Sequence, residues 1–264
     1  MAPLLQTDPA SGMACLRAPA RWQSVLLMSD LHLQADDLAT FAAWRAQVQA
    51  CQADALLLLG DVFEIWVGDD ALPQDPFLQA ALQVLQDAAT ERTVAVMRGN
   101  RDFLMGDAML AAHGLHALPD PCILDWSGPR MLLTHGDALC LADEGYQRFR
   151  ALSRSPDWQA AFLAKPLSER LALAQQMRMQ SQAHQAQLPT WADADPAMSA
   201  AWLAQAQCQH LVHGHTHQPA EHALGTARRH VLSDWDLRAQ PPRAQLLTVH
   251  ADGRLLRRDV ASAA

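Results

Sequence analysis

The chain has 264 residues, half of them apolar and 18% charged, with 28 acids against 20 Lys and Arg for a formal charge of −8. That is globular composition: the Gly and Pro contents exclude collagen-like and low-complexity classes, and the length is ample for a large core. The surplus of acid excludes the wide basic footprint that non-specific duplex binding needs, so no nucleic-acid partner is expected.

Residues 1–20 carry Pro, Ala, Ser and Gly without periodicity and read as a flexible leader before a domain spanning 21–264. Asp8 and Pro9 break any secretory signal, and no apolar run reaches the roughly 18–20 residues of a membrane span, so a cytoplasmic protein is expected. The five cysteines are odd in number and widely spaced, which suggests small core residues rather than a disulfide framework or a thiolate zinc site. From Trp22 onward short apolar runs alternate with amphipathic stretches. SVLLMS (24–29), ALLLLG (55–60), TVAVM (93–97), MLLT (131–134) and Leu211–Val212 read as buried strands, whereas 37–52 and 76–92 have helical spacing, with Pro76 suited to a first helical position. Residues 143–208, punctuated by Pro156, Pro166, Pro189 and Pro196, look like a helical insertion between two strands. Strand-like pieces return at 230–233, 245–250 and 254–260. The alternation predicts an α/β sheet with helices on its faces.

Each apolar run is followed by polar groups of one kind. The first leads to Asp30-Leu31-His32, the second to Asp61, the third to Gly99-Asn100-Arg101-Asp102, the fourth to His135-Gly136-Asp137, and the last to His213-Gly214-His215-Thr216-His217. Taken singly, a D-x-H or a Gly-Asp is an ordinary turn. Five such strand ends in one chain would converge at the crevice where α/β sheets place their sites. Asp30, His32, Asp61, Asn100, His135, His215 and His217 supply oxygen and imidazole donors without thiolates, which suit Mn²⁺, Fe²⁺, Zn²⁺ or Co²⁺. Seven donors exceed one tetrahedral site; they fit two cations sharing a carboxylate, with Asp61 the natural bridge, and two-metal sites serve in-line attack at phosphorus.

The order D-x-H, GD, GN, H-G-D, G-H-x-H resembles the calcineurin-like metallophosphoesterases. That resemblance implies a two-sheet sandwich, α/β/β/α. It implies one metal held by Asp30, His32, Asp61 and His217 and another by Asp61, Asn100, His135 and His215, with Asp102 and His213 orienting ligands. SDLHL (29–33), GDVFEIWVGDD (60–70), GNRDFL (99–104), HGDALCLAD (135–143) and HGHTHQP (213–219) are similar to one branch, the UDP-2,3-diacylglucosamine hydrolases of lipid A biosynthesis. Within the insertion Tyr146, Phe149, Arg150, Trp158, Phe162 and Arg178 follow the same pattern, and the likeness covers residues 21–236.

The branch implies cleavage of UDP-2,3-diacylglucosamine to UMP and 2,3-diacylglucosamine 1-phosphate, with two divalent metals, Mn²⁺ expected, activating water against the α-phosphorus. It implies catalytic roles for Asn100, Arg101 and His215, and substrate contacts at those three and at Asp143, Ser181 and Gln185. It implies a monomer, peripheral on the inner face of the inner membrane. Arg101 stands where many relatives carry His. An arginine cannot give up its proton, but it neutralises phosphate with a bidentate fork, which favours a pyrophosphate whose leaving group needs no acid. Trp158, Phe162, Leu163, Leu167, Leu171, Leu173 and Met177 would line a lipid chamber in the insertion, acting as a lid, or would pack its own core. A lysine expected soon after Gln185 is missing from 185–191, which bears on the lid's hold on phosphate. The alternatives are a phosphoesterase for another nucleotide diphosphate or polyphosphate, and a scaffold with a degenerate site. The second is disfavoured because all seven donors are present.

Overall fold

In chain order the strands are β1 (Leu4–Thr7), β2 (Ala14–Arg17), β3 (Ser24–Met28), β4 (Ala55–Leu59), β5 (Thr93–Met97), β6 (His116–Leu118), β7 (Cys122–Asp125), β8 (Met131–Leu133), β9 (His210–His213), β10 (Ala220–Leu224), β11 (Ala227–Val231), β12 (Gln245–His250) and β13 (Leu255–Asp259). The helices are α1 (Leu38–Ala50), α2 (Pro76–Ala89), α3 (Asp107–Ala112), α4 (Glu144–Ser153), α5 (Pro156–Leu163), α6 (Leu167–Gln185) and α7 (Pro196–Ala206). This computed structural model describes residues 4–185 and 193–260; the side chains of residue 4 and of residues 180–185 lie outside the described residues.

The strands form two sheets, one ordered β1-β2-β7-β8-β9-β11-β10 and the other β13-β12-β3-β4-β5-β6. Side chains alternate along a strand, so β4, buried throughout, serves two cores at once. Leu57 and Leu59 join Val25, Leu27, Ala95 and Met97 against Leu124, Leu133 and Val212 of the other sheet. Leu56 and Leu58 face the opposite way, toward Trp44 of α1 and Leu82 and Leu85 of α2. Beneath the seven-stranded sheet, Ile123, Leu132 and Leu211 pack on Leu203 and Ala206 of α7. The layers are therefore α/β/β/α. Caps start the helices where Pro fixes the first turn: Asp75 before Pro76, Ser155 before Pro156 and Asp195 before Pro196 each accept a backbone N–H through the side chain.

Residues 4–17, expected within a flexible leader, instead form a hairpin. β1 pairs with β2, and β2 continues the sheet in parallel with β7, from Ala14 opposite Cys122 to Arg17 opposite Asp125. Four-residue strands are too short to display a two-residue period, and Cys15 and Leu16 become buried only through the pairing. β6, β7 and β10 also escaped the sequence reading; β10 alternates partly buried with exposed residues at a sheet edge and carries no apolar run. The strand expected at 230–233 lies at Ala227–Val231, because pairing of Arg228 with His210 sets its register. The helices between β8 and β9 divide in two: α7 is the outer layer of the sandwich, while α4, α5 and α6 stand over the strand ends.

Candidate metal centre

β3, β4 and β5 run parallel in one sheet and β8 and β9 run parallel in the other, and the loops leaving these five strands carry all seven donors. The turns are tight. Among the described residues six non-glycine positions have positive φ, and five of them are Asp30, His32, Asp61, His215 and His217. Such backbone costs of order 1–3 kcal/mol per residue and persists only where the surroundings impose it. Two glycines permit the close approach. A Cβ on Gly99 would overlap Asp61 Oδ1, and one on Gly214 would overlap Asp30 Oδ2 and Ser29 Oγ.

Asp30, His32 and His217 bring ligand atoms within 4.8 Å of one another, and so do Asp30, Asp61 and His135. Asp61, expected as the bridge, points one oxygen each way: Oδ2 lies 4.0 Å from His32 Nε2 and Oδ1 lies 3.7 Å from His135 Nε2. Asp30 belongs to both groups as well; Oδ1 is 3.4 Å from His217 Nε2, and both oxygens accept the His215 backbone N–H, at 3.0 and 2.9 Å. His32 Nε2 and His217 Nε2 face each other at 3.2 Å. Asn100 Oδ1 lies 3.0 Å from His135 Nε2 and 2.9 Å from His215 Nδ1, so it closes the second half of the cage. His135 is aimed by its other nitrogen, 2.9 Å from the Leu59 carbonyl.

Burial works against charge on all these groups, and the carboxylates decide which imidazoles keep a proton. Contact with Glu64 and the Asp61 and Asp30 charges push His32 up to about 9, and Asp61 and Asp30 do the same for His135. Buried as it is, Asp30 is held well below the usual carboxylate range by His217, His135 and His32. His215, desolvated beside His135, is pushed down to about 4. Two carboxylates at 0% and 2% exposure thus demand positive charge at their centre. Oxygen and imidazole donors converging on that point fit divalent cations of the Mn²⁺ to Zn²⁺ series.

Asp102 and His213 stand behind the donors. Asp102 accepts the N–H groups of Val62 and Gly99, both at 2.7 Å, which ties the β4 and β5 loops together; burial and the Asp61 charge push it up to about 6. His213 is fully buried, with Nδ1 2.8 Å from the Gly214 carbonyl. Two further acids, Glu64 and Asp234, were given no role in the sequence reading, and Asp137 was noted there only as part of the His135-Gly136-Asp137 turn. Glu64 Oε2 lies 2.7 Å from His32 Nδ1, Asp234 Oδ2 lies 3.8 Å from His217 Nδ1, and Asp137 accepts from Tyr146 Oη at 2.5 Å and Arg150 Nε at 2.9 Å. Glu64 carried a signal: an acid inside the apolar run from Val62 to Trp66 must find a partner when buried.

From the cage a cavity of about 460 Å³ runs under the insertion. Its lining includes Asn100, Arg101 and His215, with Asn100 and His215 in contact, and the ring cluster of Phe149, Trp158 and Phe162. Of the seven apolar residues expected in a chamber, Trp158, Phe162 and Met177 line it. Leu167 and Leu173 are partly buried against the core that contains Phe162 and the outer face of the six-stranded sheet, and Leu163 and Leu171 are exposed. Asp143 borders the cavity, but its Oδ1 already accepts the Tyr146 N–H at 2.9 Å as the cap of α4. Ser181 and Gln185 lie on α6, and their side chains are outside the described residues, as is the segment where the lysine was missed. GDVFEIWVGDD proves to be a clamp as well as a site loop: Arg170 of α6, 2% exposed, donates to the Val67 carbonyl at 2.5 Å and pairs with Asp70.

Comparison with known proteins agrees with this geometry. Residues 24–163 match the calcineurin-like phosphoesterase superfamily domain. The UDP-2,3-diacylglucosamine hydrolase of Bordetella pertussis is 47% identical over 236 residues, covering 86% of this chain and 92% of that protein. Its counterpart in Chromobacterium violaceum is 45% identical over 222 residues, 80% of this chain and 90% of that one. The counterpart in Ralstonia nicotianae is 41% identical over 256 residues, 92% and 95% of the two chains.

Proposed function

The chain belongs to the calcineurin-like phosphoesterase superfamily and, within it, to the UDP-2,3-diacylglucosamine hydrolases, and from that premise we propose that it hydrolyses the pyrophosphate of UDP-2,3-diacylglucosamine to UMP and 2,3-diacylglucosamine 1-phosphate in lipid A biosynthesis. The observation that carries this reading is a single cavity whose lining joins polar groups of the cage, Asn100 and His215, to the stacked rings of Trp158 and Phe162. A phosphate group with acyl chains attached requires those two environments side by side.

Asp30, His32, Asp61 and His217 would hold one cation and Asp61, Asn100, His135 and His215 the other; the donors suit the Mn²⁺ to Zn²⁺ series, and likeness to the branch makes Mn²⁺ our choice among them. Held by these residues, the cations would supply Lewis acidity for the phosphate oxygens and would lower the pKa of water toward about 7. Water loses a proton to solvent and its oxygen bonds to the α-phosphorus, while the bond to the bridging oxygen breaks and the lipid phosphate leaves in line with that electron pair. Asn100, Arg101 and His215 steady the α-phosphoryl oxygens. Arg101 is well disposed for an anion: its Nε is buried without a hydrogen-bond partner among the described residues, and its side chain lines the cavity. The leaving group is itself a phosphate, with a last pKa of about 6, so no side chain need protonate it.

Two acyl chains must leave their bilayer for this chemistry. Each buried CH₂ contributes about 0.8 kcal/mol, and the aromatic lining of the cavity offers that surface. Among the described residues no helix is long and apolar enough to cross a membrane. A monomer resting on the inner face of the inner membrane fits the exposed Leu152, Leu163, Leu171 and Met179 of the insertion. Purified protein incubated with UDP-2,3-diacylglucosamine and Mn²⁺ should release UMP, chelator should stop it, and diadenosine tetraphosphate should be cleaved far more slowly. Preference for the dinucleotide would overturn the substrate assignment.

A further inference from the structure

Glu64 stands between the cage and the insertion, and its two oxygens face opposite ways. Oε2 lies 2.7 Å from Nδ1 of His32, whose other nitrogen looks into the cage. Oε1 lies 2.7 Å from Nε of Arg178 on α6. Glu64 is 7% exposed, and its backbone is pinned beside the His32 loop: its N–H donates to the Leu33 carbonyl at 3.2 Å, and Phe63 bridges to Leu33. The loop that carries the carboxylate is thus held beside His32. Arg178 is freer, with its side chain 32% exposed, and it lines the cavity together with Glu64 and Arg101.

A carboxylate on the far nitrogen of a ligating imidazole strengthens that imidazole as a donor. A guanidinium held against the same carboxylate neutralises it and weakens the effect. Phosphate offers a guanidinium a competing bidentate partner. We infer that Glu64 and Arg178 couple phosphate in the cavity to the cage's affinity for its cation: Arg178 turns to the phosphate, Glu64 is left wholly to His32, and the cation is held more tightly. Linkage makes the coupling reciprocal, so a loaded cage also favours the anion beyond direct contact. The device rests on His32 being a metal ligand, as read above, and adds a role for two residues that are not among the seven donors.

The test is a Mn²⁺ titration of the full chain, following free Mn²⁺ by electron paramagnetic resonance, on wild type, Arg178→Met, Glu64→Gln and the double variant. Arg178→Met should bind Mn²⁺ about 5-fold tighter or more. Glu64→Gln should bind about 10- to 100-fold more weakly, and in its background the Arg178 substitution should have no effect. UMP should tighten Mn²⁺ binding in wild type and do so less in Arg178→Met. An unchanged affinity in Arg178→Met, or an equal gain in the Glu64→Gln background, would overturn the coupling and leave the metal reading standing. Wild type that binds no Mn²⁺ would overturn both. Should Glu64→Gln not fold, Glu64→Asp replaces it, its shorter reach diminishing the Arg178 effect if the relay holds and sparing it if only charge matters.

Discussion

Replacement of Gly99 by alanine tests whether one backbone contact sets the cage. Gly99 lacks positive φ, so alanine brings no backbone strain there. Its Cβ, however, would lie 2.8 Å from Asp61 Cγ and closer still to the Asp61 Oδ1 and backbone nitrogen, whereas ordinary contact begins near 3.4 Å. Asp61 has nowhere to go: it is 2% exposed, its Oδ1 accepts the Arg101 N–H at 2.8 Å, and its carbonyl accepts from His32 at 3.0 Å. The β4 and β5 loops must therefore part by roughly half an ångström or more. A misplacement near 1 Å costs about 100-fold in rate, so UMP release should fall by about 10- to 100-fold, with Mn²⁺ affinity falling alongside. The assay pairs UMP release with a Mn²⁺ titration and a calorimetric melt, which should show a folded chain with a midpoint lowered by the overpacking, at a cost of about 1–3 kcal/mol. A variant with wild-type rate and metal affinity would refute the argument that this approach fixes the cage.

Asp61→Ala removes the group that faces both His32 and His135, so turnover should drop to background and the stoichiometry of bound Mn²⁺ should fall; full metal content at the wild-type rate contradicts the bridge. Trp158 stacks on Phe162 at 4.9 Å between centroids and 12° between planes, and Trp158→Ala should raise KM for the diacyl substrate about tenfold while sparing a UDP-sugar without acyl chains. Equal losses on both substrates would remove the chamber. His230 is pushed down to about 4 by burial and the neighbouring His210, so the folded chain keeps it neutral where the unfolded chain takes up a proton. Its contribution is complete above pH 6.5 and is lost as pH falls toward 4, so urea midpoints should decline across that window and His230→Phe should flatten the decline. An identical pH profile in the variant would exclude His230 as the source.

The convergent donor set was legible because its signals are local. A buried parallel strand announces itself as a short apolar run, and the polar group at its end needs no distant partner to be noticed; Asp30, Asp61, Asn100, His135 and His215 each sat directly behind such a run. Residues acting through partners far along the chain gave no comparable sign. Arg170 looked like one charge on a helix until Asp70 and the Val67 carbonyl met it across the clamp. Leu163 and Phe162 are neighbours of equal hydropathic appeal, yet one is exposed and the other borders the cavity, because one residue along a helix is a rotation of about 100°. β2 and β10 were missed for a related reason, since pairing with β7 and β11 defines them.

The amino-acid sequence on its own determined the chemistry available, which is oxygen and imidazole donors at strand ends, an arginine in place of an acid, and an aromatic insertion. It also determined the alternation of strands and helices, since both depend on residue types within a few positions of one another. Only the tertiary structure decided which oxygen of Asp61 faces which histidine, which face of α5 borders the cavity, and that Glu64 joins His32 to a helix more than a hundred residues away. Those are matters of register, rotation and loop closure. Small changes in backbone geometry far from the groups concerned decide them, and no short window of sequence contains that geometry.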